Sequence, residues 1–186
     1  NLSGKKVLVQ GVGHVGQYLV GHLVEAGAKV YITDINETRI KETTDKFNVE
    51  YVSPEKMLEL DIDIYAPCAL GAIINDDTIG KLKCAIIAGA ANNQLSVEKI
   101  HGQQLIEKGI LYAPDFLINA GGLVNVAAEA GGAYNREKVT KDVEKIYNRI
   151  LDIFTLSEME KITTQEAAMR IAQKRIDDVA NVKSRL

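Results

Sequence analysis

At 186 residues, 46% hydrophobic and 25% charged, the chain is long enough to bury one substantial core, which favours one domain or one domain with an appendage. The net charge of -3 and the absence of a basic run argue against nucleic acid as the main partner. No apolar stretch reaches the roughly 20 residues of a membrane helix. Two cysteines and three histidines at unrelated spacings give neither a disulfide framework nor a metal-site pattern, so a reduced, cytoplasmic setting is expected. The amino terminus, NLSGKK, lacks a secretory apolar region, and a first residue other than Met suggests a piece of something longer.

The predicted elements alternate along the chain. Strand-length apolar runs fall at KVLVQ (6–10), KVYIT (29–33), DIYAP (63–67), CAIIAG (84–89) and ILYAP (110–114), with helix-period segments between them. That order predicts an α/β fold: a doubly wound, mostly parallel sheet of the Rossmann type with helices on both faces. Val15, Leu19, Val20, Leu23 and Val24 mark the first helix, which Gly27 ends. A helix over 37–47 leads to a short strand at 49–52, and Ser53-Pro54-Glu55 predicts the opening of another helix. Beyond about residue 134 the strands stop. Val139, Val143, Ile146, Ile150 and Phe154 form one helical stripe. Thr163-Thr164-Gln165-Glu166 predicts a capping box for a last helix whose Ala168, Ile171, Ala172 and Val179 face inward. We expect one nucleotide-binding domain over residues 1–186, with a core of about 5–134 and a helical tail of about 135–186.

The chemistry begins where the first strand meets Gly11-Val12-Gly13-His14-Val15-Gly16. Gly11 permits a tight turn, Gly13 removes a side chain so that a pyrophosphate can approach the backbone, and Gly16 lets the helix pack on its strand. The positive end of the helix and its free amides then hold the anion. The second strand ends at Asp34, where a carboxylate accepts both hydroxyls of an adenine ribose and repels a 2'-phosphate. No Arg follows at once, although Arg39 is not far, so NAD is the expected cofactor. His14 suits an exposed spacer better than an acid or base. Cys84, inside an apolar run, reads as core, and Cys68 has no neighbouring base to make it a nucleophile.

Ligands of open parallel sheets gather outside the carboxyl ends of the strands, where this chain places Ala66-Pro67-Cys68-Ala69-Leu70-Gly71, Ala88-Gly89-Ala90-Ala91-Asn92-Asn93 and Asn119-Ala120-Gly121-Gly122. Small residues admit a flat nicotinamide, and Asn offers a donor and an acceptor to its carboxamide. The same Asn residues also suit turns and helix caps.

VQGVGHVG, APCALGAIIN, AGAANNQL and APDFLINAGGLVNV, in this order over at least residues 3–134, resemble the cofactor-binding half of the glutamate, leucine, phenylalanine and valine dehydrogenases, nearest the leucine dehydrogenase branch. The resemblance implies reversible oxidative deamination of an L-amino acid to a 2-oxo acid and ammonia, with hydride passed to NAD, in an enzyme that self-associates. Carried over by position, Gly11, Val12, Gly13, His14, Val15, Gly16 and Gln17 would hold the pyrophosphate and Asp34 the adenine ribose, with Ile35 beside it. Cys68 and Ala69 would meet the dinucleotide backbone, and Ala90, Asn92 and Asn119 the nicotinamide end. Leu123 and Val126 would present aliphatic carbon to the substrate side chain, favouring a branched-chain amino acid. The family's catalytic Lys and Asp belong to a preceding substrate domain, and no catalytic residue and no metal ligand is expected in this chain. Two further readings are a stand-alone or engineered NAD-binding module, in which NAD is ligand rather than reactant, and an unrelated hydroxy-acid dehydrogenase. The latter needs a His paired with an acid, and no His here is well placed for it.

Overall fold

A computed structural model describes residues 1–132 and 134–183. The chain divides into two compact units, Asn1–Asn119 and Ala120–Leu186.

The first unit is built on six parallel strands in the order β3-β2-β1-β4-β5-β6. These are β1 (Lys6–Gln10), β2 (Lys29–Thr33), β3 (Glu50–Tyr51), β4 (Ile64–Pro67), β5 (Ile86–Ile87) and β6 (Leu111–Tyr112). Its helices are α1 (His14–Glu25), α2 (Glu37–Lys46), α3 (Glu98–Glu107) and the single turn α4 (Asp115–Ile118). The chain starts in the middle of the sheet, winds outward to β3 and then returns to β4. The order therefore reverses between β1 and β4, where a doubly wound sheet opens a crevice.

Side chains of β1 alternate between two cores. Val7 and Val9 join Val30, Ile32 and Ala66 under Val20 and Leu23 of α1, with Phe47 at the end of α2 packed against them. Leu8 points the other way, into a cluster with Tyr65, Ile87 and Tyr112 of the strands and Leu105 of α3. The sheet is thus covered on both faces, which is why its central strands read as nearly continuous apolar runs. The strands after β4 are shorter than their apolar runs: β5 keeps only Ile86–Ile87 and β6 only Leu111–Tyr112. One expected element is replaced: after Ser53-Pro54-Glu55 the chain makes only a 3-10 turn at Met57–Glu59. Burying Met57 against the sheet takes one turn, and Asp63 must already be in register beside Lys6 at the start of β1.

The second unit holds α5 (Gly121–Ala130), α6 (Arg136–Glu160) and α7 (Thr164–Lys183). The Asn135 side chain caps α6 by accepting the Lys138 N–H, and the stripe from Val139 to Phe154 lies on its buried or half-buried side. Thr163 caps α7 by accepting the Glu166 N–H at 3.1 Å, but only half of the capping box forms. The Glu166 carboxylate turns to Arg170 at 2.6 Å, and Arg170 also reaches Glu160 on α6. The inward face expected for α7 is corrected: Ala168 is buried with Ala167, whereas Ile171, Ala172 and Val179 are exposed. Among the described residues of this helix, the buried ones lie in its first turn, so periodicity beyond it marks an apolar stripe without marking a core. Among the described residues, no helix is long and apolar enough to cross a membrane.

Candidate functional site

The turn after β1 is shaped by two glycines that tolerate nothing larger. Gly11 has φ +94, and a Cβ there would lie 2.7 Å from the Ala69 Cβ and 2.9 Å from its nitrogen. A Cβ on Gly16 would lie 2.0 Å from the Gly11 carbonyl oxygen. The first turn of α1 is therefore pressed onto the β1 turn, and the segment after β4 is pressed onto the same place. Gly13 differs: a Cβ there meets nothing closer than Arg39 Nη1 at 3.8 Å, so the space in front of it is open.

No side chain caps α1. α2 and α6, by contrast, are capped by Asn36 and Asn135. The first-turn amides of α1 carry the partial positive charge of the helix end and point into the open space before Gly13, a setting that suits an anion. His14 and Val15 are exposed, Gln17 is half-buried, and Val12 is buried beneath the turn.

Asp34 sits at the mouth of this turn. Its Oδ2 accepts the Val12 N–H at 2.8 Å and its Oδ1 accepts the Asn36 N–H at 2.9 Å, so the carboxylate is locked by backbone on either side. Each oxygen keeps lone pairs for further donors. Ile35, next to it, is 92% exposed. Cys68 is tied to the end of β1 by its N–H to the Gln10 carbonyl at 2.7 Å, and its Cβ lies 3.7 Å from where a Cβ on Gly16 would stand. Burial pushes the Cys68 thiol above its ordinary pKa, partly offset by a hydrogen bond from the Ala90 backbone, so the sulfur stays protonated at neutral pH.

The loops after β4, β5 and β6 form a second, contiguous group. Ala91 N–H donates to the Pro67 carbonyl at 2.9 Å, Ala72 N–H to Asn93 at 2.7 Å and Ile74 N–H to Gln94 at 3.0 Å. Asn119, at the end of α4, donates from Nδ2 to Asn92 Oδ1 at 2.5 Å and to the Ala90 carbonyl at 3.4 Å. Ala90, Asn92 and Asn119, three separate positions in sequence, thus converge. Leu123 and Val126 lie on α5 of the second unit, three residues apart and 72% and 59% exposed.

Two buried polar residues of this group carry no sequence signal of their own. Gln94 stands inside AGAANNQL and Asp115 inside APDFLINAGG, yet nothing in their spacing says that the Asp115 carboxylate accepts the Gln94 backbone N–H at 2.9 Å. A buried polar residue is recognised only once the sheet brings its partners to it.

The chain matches the profile of the Glutamate/Leucine/Phenylalanine/Valine dehydrogenase family over residues 31–183. It belongs to that family. Leucine dehydrogenase of Thermoactinomyces intermedius is 50% identical over 184 residues, covering 99% of this chain and 50% of the relative. L-tryptophan dehydrogenase of Nostoc punctiforme is 46% identical, covering 99% of this chain and 52% of the relative. The crystal structure of the Nostoc punctiforme enzyme superimposes with a TM-score of 0.93 at 46% identity, over 97% of this chain and 54% of that one. The chain therefore spans about half the length of these dehydrogenases, and the expected family and α/β fold are those found.

Proposed function

We propose that this chain is the NAD-binding part of an amino-acid dehydrogenase that converts a branched-chain L-amino acid to its 2-oxo acid and ammonia. The observation that carries the reading is the carboxylate of Asp34 held at the uncapped amino end of α1 by the Val12 amide. The open space before Gly13 fits a diphosphate against backbone, and the two free sides of the Asp34 carboxylate fit the vicinal hydroxyls of a ribose. A 2'-phosphate on that ribose would face a fixed anion, which favours NAD over NADP. In this reading Gly11 to Gln17 line the pyrophosphate, Cys68 and Ala69 flank the dinucleotide backbone, and Ala90, Asn92 and Asn119 meet the carboxamide. NAD, when bound, supplies the hydride acceptor.

The side chains gathered at these strand ends are amides, small residues, a protonated thiol and the buried Asp115 carboxylate, whose two oxygens already accept the Gln94 and Phe116 N–H groups. None of them suits the proton transfers of deamination, so the chain alone binds NAD and turns over no amino acid; the proton-shuttling Lys and Asp belong to a substrate domain outside this sequence. Relatives named for leucine and for tryptophan are almost equally similar to this chain, so overall likeness does not separate aliphatic from aromatic substrates. The aliphatic choice rests on Leu123 and Val126. A cytoplasmic, self-associating parent enzyme completes the proposal; the self-association is supported by apolar side chains such as Met159, Met169 and Ile176 left at the surface of α6 and α7.

Calorimetric titration of NAD and NADP into the protein, repeated with Asp34→Ala, tests the reading. Binding of NAD well ahead of NADP, weakened by the substitution with the preference narrowed, is the expected result. Absence of NAD binding by the unaltered protein overturns it, and NADH formation from leucine by this chain alone overturns the claim of inactivity.

A further inference from the structure

We propose that Gln94 is a positioning residue for the nicotinamide end of the cofactor site, acting from within the 89–94 loop to hold the backbone that presents Asn92. The inference rests on the NAD reading and deepens it.

Gln94 is 0% exposed. Its Nε2 donates to the carbonyls of Gly89 at 2.7 Å and Ala91 at 2.9 Å, which engages both amide hydrogens within its own loop. Its backbone is fastened at both ends: the N–H goes to Asp115 at the start of α4, and the carbonyl accepts the Ile74 N–H from the segment after β4. One residue thereby joins the loops of three successive strands. Its Oε1 is buried with no hydrogen-bond partner. A Met or Leu would fill the volume without stranding an acceptor, so the two donated bonds account for an amide at this position.

The loop it holds has an irregular backbone that is closely fitted to the segment after β4. Asn93 has φ +50, a left-handed conformation that Asn adopts more readily than other residues with a Cβ. The loop is also fitted closely, since a Cβ on Gly89 would lie 2.1 Å from the Pro67 oxygen and one on Gly71 would lie 2.7 Å from the Asn92 oxygen. In the same loop, Asn92 Oδ1 and the Ala90 carbonyl both accept from Asn119 Nδ2. That leaves Asn92 Nδ2 as a donor and Asn119 Oδ1 as an acceptor on two hydrogen-bonded side chains, the chemical complement of a carboxamide oxygen and NH2. The pair keeps this arrangement only while the Asn92 backbone stays where Gln94 holds it. α4, whose start binds the Gln94 backbone through Asp115 and whose end carries Asn119, ties the two halves together.

The test compares NAD with ADP-ribose, which keeps the diphosphate and adenine ribose and lacks the nicotinamide. Both are titrated calorimetrically into the protein and its Gln94→Met variant. Gln94→Met is expected to weaken NAD roughly tenfold and leave ADP-ribose within about twofold. Equal losses on the two ligands, or no loss on NAD, overturn the proposal, because a merely structural role does not discriminate between them. If Gln94→Met fails to fold, Asp115→Asn, which weakens the same anchor while preserving its shape, decides by the same comparison: a smaller loss confined to NAD supports the inference and an equal or absent loss overturns it. Failure of the unaltered protein to bind either ligand overturns the NAD reading itself, and an unaltered protein that binds both while the variants show no selectivity overturns only the role of Gln94.

Discussion

Asp34 at the end of β2 and Val12 in the turn after β1 are joined directly, carboxylate oxygen to backbone N–H at 2.8 Å. The bond does two jobs. It satisfies an amide that the buried Val12 could not otherwise expose to water, and it aims a negative charge at the mouth of the turn. Asp34→Ala therefore removes a structural bond as well as a ligand contact, and is expected to cost about 1–3 kcal/mol in urea unfolding. Asp34→Asn keeps the shape and one acceptor, and is expected to cost less stability while still narrowing the preference for NAD over NADP. Equal unfolding midpoints for Asp34→Ala and the unaltered protein would show that Val12 does not depend on this bond.

Gly13 and Gly16 separate binding from folding within one motif. A Cβ at Gly16 overlaps the Gly11 carbonyl, and Gly16→Ala is expected to destabilise the protein by about 3 kcal/mol or more. Gly13 has φ −69 and open space before it, so Gly13→Ala is expected to keep stability within about 1 kcal/mol. Its methyl group fills the place proposed for the diphosphate, and NAD affinity should fall about tenfold or more. Thermal melts alongside calorimetry read the two effects; NAD binding undiminished in Gly13→Ala would displace the diphosphate from this turn.

Asp63 fastens the start of β4 to β1. It accepts the Lys6 N–H at 2.8 Å and the Lys5 ammonium at 3.0 Å, and these bonds, the backbone one foremost, hold its carboxyl below the ordinary range. With the folded pKa below the unfolded value of about 4, its contribution is present in full above the unfolded pKa and is lost as pH falls through the folded one. The stability gap between the unaltered protein and Asp63→Asn is expected to be constant well above the unfolded carboxyl pKa of about 4 and to shrink as the pH falls below it. Denaturant titrations at a series of pH values measure it, and a gap that widens on acidification would contradict the assignment.

Leu123 and Val126 are exposed on one side of α5, as side chains that meet a ligand must be. In the full-length enzyme Leu123→Gly is expected to reduce kcat/KM for leucine about tenfold relative to a smaller amino acid, the scale on which an apolar pocket senses one aliphatic group. Steady-state kinetics over a panel of amino acids measures this, and an unchanged order of preference would remove Leu123 from the substrate pocket.

The sequence by itself determined the parallel sheet, its coverage on both faces, the glycine turn and the family. Each is written in local terms: apolar runs of strand length, helical periods between them, residues that permit a turn, and motifs in a set order. The tertiary structure decided what depends on distant segments meeting. It placed Val12 against Asp34, and it gathered Ala90, Asn92 and Asn119 near a buried Gln94 that the sequence presents as one more polar loop residue. It also reduced the expected helix after Ser53 to a 3-10 turn and left Ile171, Ala172 and Val179 of α7 exposed. In both places local pattern lost to packing: an apolar or polar side chain takes its role from the neighbours that strand order and register bring to it, and those neighbours lie tens of residues away along the chain.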